Sequence, residues 1–382
     1  MALVTLDSVE ACADAIIARV GKRISLGTPL GIGKPNPLLN ALYQRAQRDR
    51  SLELTIHTAL SLQKPTSHQE LERRLMDPLV ARVFGDYPDL DYEIDRSAGR
   101  LPDNVRVIEF YYQAGKYLKN PAAQRDYISA NFTHVARDLL ARGVNVIVQA
   151  AKRGELDGKP MLSLSSNTDV SIDLLRGLRA KESAGAKVAV AAQLNDQLPF
   201  MHGQALIEPE RFDFVVDDPR GHHTLFGPPK QPVGDPETMI GLYASTLVKD
   251  GGELQLGIGA LGDAVVYALS LRHAQNAQYQ KALQALGALD RTAGTQEHVG
   301  GLAPFETGLF AASEMLVDGF MQLFKIGVLK RKVYDDTTLS RLLNAERIDE
   351  RVTPELLELL RAERAISSTL TPRDLRYLQH FG

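Results

Sequence analysis

The sequence has one cysteine, Cys12, so no intrachain disulfide framework holds the fold, and a zinc site built on cysteines is excluded. An excess of either sign of charge is also missing. A net charge of −3 over 382 residues gives no reason to expect nucleic acid or a membrane surface as partner. Long apolar runs are missing, and none approaches the ~18 residues a transmembrane helix needs. The first twenty residues, MALVTLDSVEACADAIIARV, lack a basic start and a continuous apolar core, which argues against a signal peptide. The cytoplasm is therefore the expected compartment. There is no G-x-S-x-G elbow to support a serine hydrolase. His222 and His223 have no acidic or cysteine partner at ligand spacing, so no metal is expected. Internal repeats and low-complexity tracts are absent too.

What is present fits a folded globular chain. The length suits two domains, each able to bury its own core. At the start, Asp7 is placed to cap an amphipathic helix, with Glu10 three residues on and Val9, Ile16, Ile17 and Val20 on one face. Strand-like and helix-like segments then alternate. Residues 23–28 and 52–60 read as strands, as do VRVIEFY, VNVIVQAA, PMLSLSS, KVAVAAQLN and FDFVVDD. Ser67 and Glu70 form a capping-box pattern before a helix that reaches about Phe84. This alternation predicts an α/β fold with largely parallel sheets, whose ligands sit at the carboxyl ends of strands. Residues 217–235, rich in Pro and Gly, read as a linker between two domains. Beyond about Tyr334 only charged helical segments are expected.

Glycines carry the first chemical signal. In ELQLGIGALGDAVVYAL (253–269) a buried strand is expected to lead through Gly257, Gly259 and Gly262 into a helix. Such a turn offers free backbone N–H groups to an anion. Its spelling, G-x-G-x-x-G, is the dinucleotide fingerprint, but that site also needs an acid about 20 residues further on. Between Ala264 and Leu289 there is no Asp or Glu, so an NAD-dependent oxidoreductase is disfavoured. A second glycine loop, LGTPLGIGKPN (26–36), contains Gly31 and Gly33 with Lys34 alongside. It is not a P-loop, because GK is not followed by Ser or Thr. It reads either as a cradle for a phosphate or thioester-bearing arm, or as a plain strand-to-helix turn.

The third constellation is TGLFAASEMLVDGFMQLFKIGVLKR (307–331). TGLFAAS reads as a strand, Ser313 as the cap of the next helix, and Gly327 as its end. Glu314 then projects from the carboxyl end of a strand. On the residues alone, an acid in a first helical turn is ordinary complementation of the helix dipole.

Taken together, LGTPLGIGKPNPLLNALY (26–43), QLNDQLPFMHG (193–203), LQLGIGALGDAVVYAL (254–269) and SEMLVDGFMQLFKIGVLKR (313–331) resemble the acetyl-CoA hydrolase/transferase family, among the class I CoA-transferases. NFTHVARDLLARGVNVIVQ (131–149) resembles its longer bacterial branch. The resemblance implies two CoA-transferase-like α/β domains, the first over 1–220 and the opening part of the second over 221–335. A helical tail over 336–382 follows, and the family pattern continues beyond Gly382. It also implies a function: hydrolysis of an acyl-CoA, with acetyl-CoA the expected donor, or transfer of its CoA to a small carboxylate. Glu314 would be the nucleophile and Asn195 would help stabilise the oxyanion. Gly257, Gly259 and Gly262 would approach the CoA arm, with Gly31 and Gly33 in the other loop. No metal is implied. A homodimer is expected if the incomplete second domain leaves apolar surface to cover. Gly262 stands where much of the family has proline, which implies a looser turn. The alternative reading is a non-catalytic CoA- or nucleotide-binding module.

Overall fold

The computed structural model describes residues 3–67, 69–227, 230–313 and 317–381. The chain divides into two compact units, Met1–Pro228 and Pro229–Gly382. Among the described residues, no helix is long and apolar enough to cross a membrane.

The first unit runs β1 (Val4–Leu6), α1 (Val9–Val20), β2 (Arg23–Gly27), α2 (Asn36–Arg48), β3 (Glu53–Thr58), α3 (Glu70–Phe84), α4 (Asp91–Ser97) and β4 (Val105–Glu109). It continues through α5 (Pro121–Arg125), α6 (Val135–Ala141), β5 (Val146–Leu156), β6 (Lys159–Ser163), α7 (Ser171–Ser183), β7 (Ala189–Leu194), β8 (Leu206–Ile207) and β9 (Phe214–Val216). Seven strands lie side by side in the order β1-β9-β7-β5-β2-β3-β4, and all these neighbours pair in parallel. Strand β6 pairs antiparallel with the far end of β5, and β8 pairs with β6.

Side chains on a strand alternate between faces, so a central strand covered on both sides must be apolar throughout. Strand β5 sends Val146 and Val148 into one core and Ile147 into the other. On the first face these residues meet Ile16 of α1 and Leu39 and Leu42 of α2. On the second they meet Leu139 of α6 and Leu174 and Leu178 of α7. Each such fully buried leucine contributes about 1.5–3 kcal/mol. Cys12 lies in the first core, where burial pushes its thiol up to about 12 and leaves it unreactive.

Two local expectations fail here. Ser8, not Asp7, caps α1, its Oγ accepting from the Ala11 N–H at 3.3 Å. The reason is β1, which pairs with β9 and holds the chain extended up to Leu6. In front of α3, Ser67 Oγ accepts from the Gln69 N–H and donates to Glu72, so the Ser67–Glu70 capping box does not form.

The second unit runs α8 (Asp235–Ser245), β10 (Glu253–Gln255), α9 (Ala260–Ala274), α10 (Asn276–Ala285), α11 (Ala288–Val299), β11 (Phe310–Ala312), α12 (Asp318–Lys325), α13 (Thr337–Asn344), α14 (Pro354–Ala362) and α15 (Pro372–Phe381). Among the described residues, its sheet is the parallel pair β10–β11. Leu256, Val265, Val266, Leu269, Phe320 and Leu323 fill the core beside it. Arg272 of α9 is buried too, with its guanidinium donating to the carbonyls of Ala303, Ser245 and Val248. It lies 4.3 Å from the Phe305 ring centre. The expected buried strand in ELQLGIG is short, and Glu253 and Gln255 are exposed. Among the described residues, β10 pairs along one edge only. The last three helices gather Leu339, Leu342, Leu360 and Ile366 into a small core of their own.

Candidate functional site

Strand β10 delivers the chain to Gly257, and α9 begins after Gly259. Gly259 has φ +113°, a backbone that side chains rarely allow, so glycine is required there. Among the described residues, a Cβ added at Gly257 or Gly259 would meet no atom within 4 Å, so both are open there. Gly262 is different. A Cβ there would lie 2.4 Å from the Gly257 carbonyl oxygen. A side chain does not fit at this position, because the strand end folds directly over the first helical turn. The N–H groups of that turn, with the helix dipole behind them, form an anion-seeking surface.

Strand β11 runs parallel to β10, with Glu253 opposite Phe310 and Gln255 opposite Ala312. One step further, Ser313 Oγ donates to the Leu256 carbonyl at 3.3 Å. The register therefore brings Ser313 to the residue that opens the glycine turn. Glu314, the expected nucleophile, lies outside the described residues. The helix that follows is described from Asp318, with Val317 before it, so Ser313 does not cap it. Gly327 comes just after its end with φ +78°. At the opposite end of the strand pair, Asp250 accepts backbone N–H bonds from Gly251, Glu306, Thr307 and Gly308 at 2.9–3.1 Å. Burial alone would raise its pKa, but these four donors hold it below the ordinary carboxylate range.

The remaining expected site residues, Gly31, Gly33 and Asn195, belong to the first unit. Gly31–Gly33 form a single 3₁₀ turn after β2. A Cβ on Gly33 would come within 2.6 Å of Asn167, so that glycine is filled space and not an open cradle. Lys34 is 2% exposed, and its ammonium donates to the Ala59 and Leu60 carbonyls after β3. Burial drives its pKa down to about 7, opposed in part by Glu109. Asn195 sits just past the end of β7 and is fully buried. Its Nδ2 donates to the His223 carbonyl at 3.2 Å, and its Oδ1 accepts from the Gln197 N–H at 2.9 Å. The side chain thus stabilises its own turn.

The neighbouring histidines are also engaged. His222 Nδ1 accepts from the Asp196 N–H, so Nε2 carries the proton that bonds Asp217. His223 Nδ1 donates to the Thr224 carbonyl, and burial lowers its pKa. Among the described residues, no group of three or more His, Cys, Asp or Glu could hold a metal ion.

Sequence reasoning missed the burial of Lys34 and the clamp at Asp250. The Asp-Gly-Gly run at 250–252 signalled a turn. Nothing local signalled the carbonyls that collect on Lys34.

No protein-family model matches the chain. It is 31% identical over 154 residues to 4-hydroxybutyrate coenzyme A transferase of Clostridium kluyveri. It is 40% identical over 82 residues to succinyl-CoA:cyclohexane-1-carboxylate CoA transferase of Geobacter metallireducens. The chain is related to the CoA-transferases. These CoA-transferase matches take in 40% and 21% of this chain, but only 27% and 18% of the two relatives. The fold agrees. RipA from Yersinia pestis superposes with a TM-score of 0.53 at 19% identity, over 85% of this chain and 60% of RipA. Kinship with CoA-transferases accords with the family resemblance carried by the four sequence motifs.

Proposed function

We propose that this chain carries CoA-transfer chemistry, moving CoA from an acyl-CoA to a small carboxylate, or to water, through Glu314. The observation that supports this most directly is the β10–β11 register. It sets Gln255 against Ala312 and bonds Ser313 to Leu256, so the residue before Glu314 meets the glycine turn.

The steps balance as follows. The Glu314 carboxylate attacks the thioester carbonyl, the C–S bond breaks, and a mixed anhydride and CoA thiolate form. The thiolate then attacks the glutamyl carbonyl and releases the acyl group as a carboxylate, leaving a glutamyl–CoA thioester. An acceptor carboxylate repeats the sequence in reverse, or water releases CoA. A carboxylate is ionised at neutral pH and needs no general base, though it is a weak nucleophile. Binding energy from the remote parts of CoA offsets that weakness when it is expressed in the transition state. The open N–H groups after Gly257 and Gly259 suit an anionic or carbonyl portion of the ligand. Acetyl-CoA as donor and Asn195 as a donor to the oxyanion belong to the same proposal. One of the two Nδ2 hydrogens of Asn195 already goes to His223, so the other would serve.

Incubating the full chain with acetyl-CoA, trapping with hydroxylamine or borohydride and mapping by mass spectrometry tests this. A modified Glu314, absent in Glu314→Gln, is expected. Turnover that is undiminished in Glu314→Gln, with deamidation excluded, would refute the assignment. CoA binding without any trapped residue would favour a binding module.

A further inference from the structure

The helical tail holds a cluster that the CoA reading does not use. Where α14 ends and α15 begins, a cavity of about 330 Å³ is lined by Arg361, Arg364 and Arg373, with Ser367, Ser368 and Asp374. Two other arginines of the tail, Arg341 and Arg347, are neutralised by sharing Glu363 at 2.5 and 2.9 Å. Among the described residues, the guanidiniums of Arg361, Arg364 and Arg373 have no ion-pair or hydrogen-bond partner.

The one carboxylate at the cavity is committed elsewhere. Asp374 Oδ2 accepts from the Thr371 N–H at 2.8 Å and the Thr371 hydroxyl at 2.7 Å, while Thr371 Oγ1 accepts from the Asp374 N–H. This is a capping box for α15, and the Thr371 N–H bond chiefly holds the acid down to about 2. Arg361, Arg364 and Arg373 therefore outnumber the one carboxylate of the cavity three to one. Arg364 adds a second oddity. It follows the C-cap of α14 with φ +62°, the left-handed position where glycine is favoured. An arginine there keeps a guanidinium at the cavity against its own backbone preference.

Planar guanidiniums and hydroxyls around one cavity match the oxygens of a tetrahedral dianion. We propose that this cavity binds phosphate, either as the free ion or as a phosphate monoester. The proposal stands independently of the CoA chemistry.

The test titrates the full chain with inorganic phosphate and, separately, with phenyl phosphate, a monoester that is no part of CoA, at ionic strength matched with chloride. Saturable binding below about 20 mM is expected for at least one ligand. Equal affinity for the two ligands assigns the free ion, and a preference of about tenfold or more for phenyl phosphate assigns the monoester. Arg364→Gly should weaken binding at least about fivefold. Its thermal midpoint in chloride should not fall, because glycine suits the left-handed backbone. The triple variant Arg361→Ala, Arg364→Gly, Arg373→Ala should lose saturable binding, and Arg351→Ala, which does not line the cavity, should keep it. Absence of saturable binding to the wild-type chain, or unchanged affinity in the triple variant, overturns the site.

Discussion

Both units contain a strand that leads through glycines into a helix, yet they build opposite things from it. In the first unit the loop is packed shut: Gly33 is pressed against Asn167, and Lys34 is buried on two carbonyls. In the second, no described atom stands within 4 Å of a Cβ added at Gly257 or Gly259. The difference comes from the surroundings. Strand β2 has parallel neighbours on both sides, so the loop that follows it sinks into the sheet's polar rim. Among the described residues, strand β10 has one neighbour, and the loop after it stays at the surface. Similar spelling thus yields a structural plug in one place and an accessible turn in the other.

That contrast can be broken by single substitutions. The largest effect is expected for Gly262→Ala, whose methyl group would meet a backbone oxygen that cannot rotate away. A loss of about 3 kcal/mol and collapse of hydrogen-exchange protection in α9 are expected. Normal protection would mean that the turn is looser than described.

Gly33→Ala meets a side chain instead, and should cost about 1–3 kcal/mol, read as faster exchange in β2 and β3 with CoA affinity unchanged. A fall in CoA affinity at unaltered stability would make the first loop a ligand cradle after all.

Lys34→Met probes the plug through pH. The folded pKa near 7 lies below the ordinary value of 10.5, so the unfolded chain binds more protons between them. Wild-type stability should therefore rise with pH above 7, by at most about 1.4 kcal/mol per unit, and the variant should lose that slope. Identical slopes from pH 7 to about 9.5 would place the ammonium in water.

The smallest stability change belongs to Gly257→Ala, within about 0.5 kcal/mol, because nothing stands where the methyl group would go. Calorimetry should nonetheless find CoA bound severalfold more weakly. Unchanged affinity would detach the open turn from the ligand.

The sheet was legible because its central strands are covered on both faces, so VNVIVQAA and KVAVAAQLN announce themselves as largely apolar runs. Strand β1 was not. Its three residues are too few to show a period, and its pairing with β9 lies more than 200 residues away. The length of β10 was overestimated for a related reason: apolar residues near a strand can serve a core without extending the ladder. At the candidate site, the glycine turn was readable because φ and close approach are local matters. Lys34 was not, since a lysine beside glycines looks solvent-bound until a distant strand end places carbonyls on it. Asn195 was readable both as a turn residue and as a chemical group, and its bonds in this fold are those of the turn.

Asp250 has a consequence for error tolerance. By collecting four N–H groups it fastens the starts of β10 and β11 to one point, and each strand then runs a fixed count of residues to its other end. A slip of one residue would turn Ser313 to the opposite face and misaddress whatever follows it. Asp250 thus acts as a zero mark on a ruler: it stands at the far end of the strand pair, yet it decides which side chain arrives beside the glycine turn.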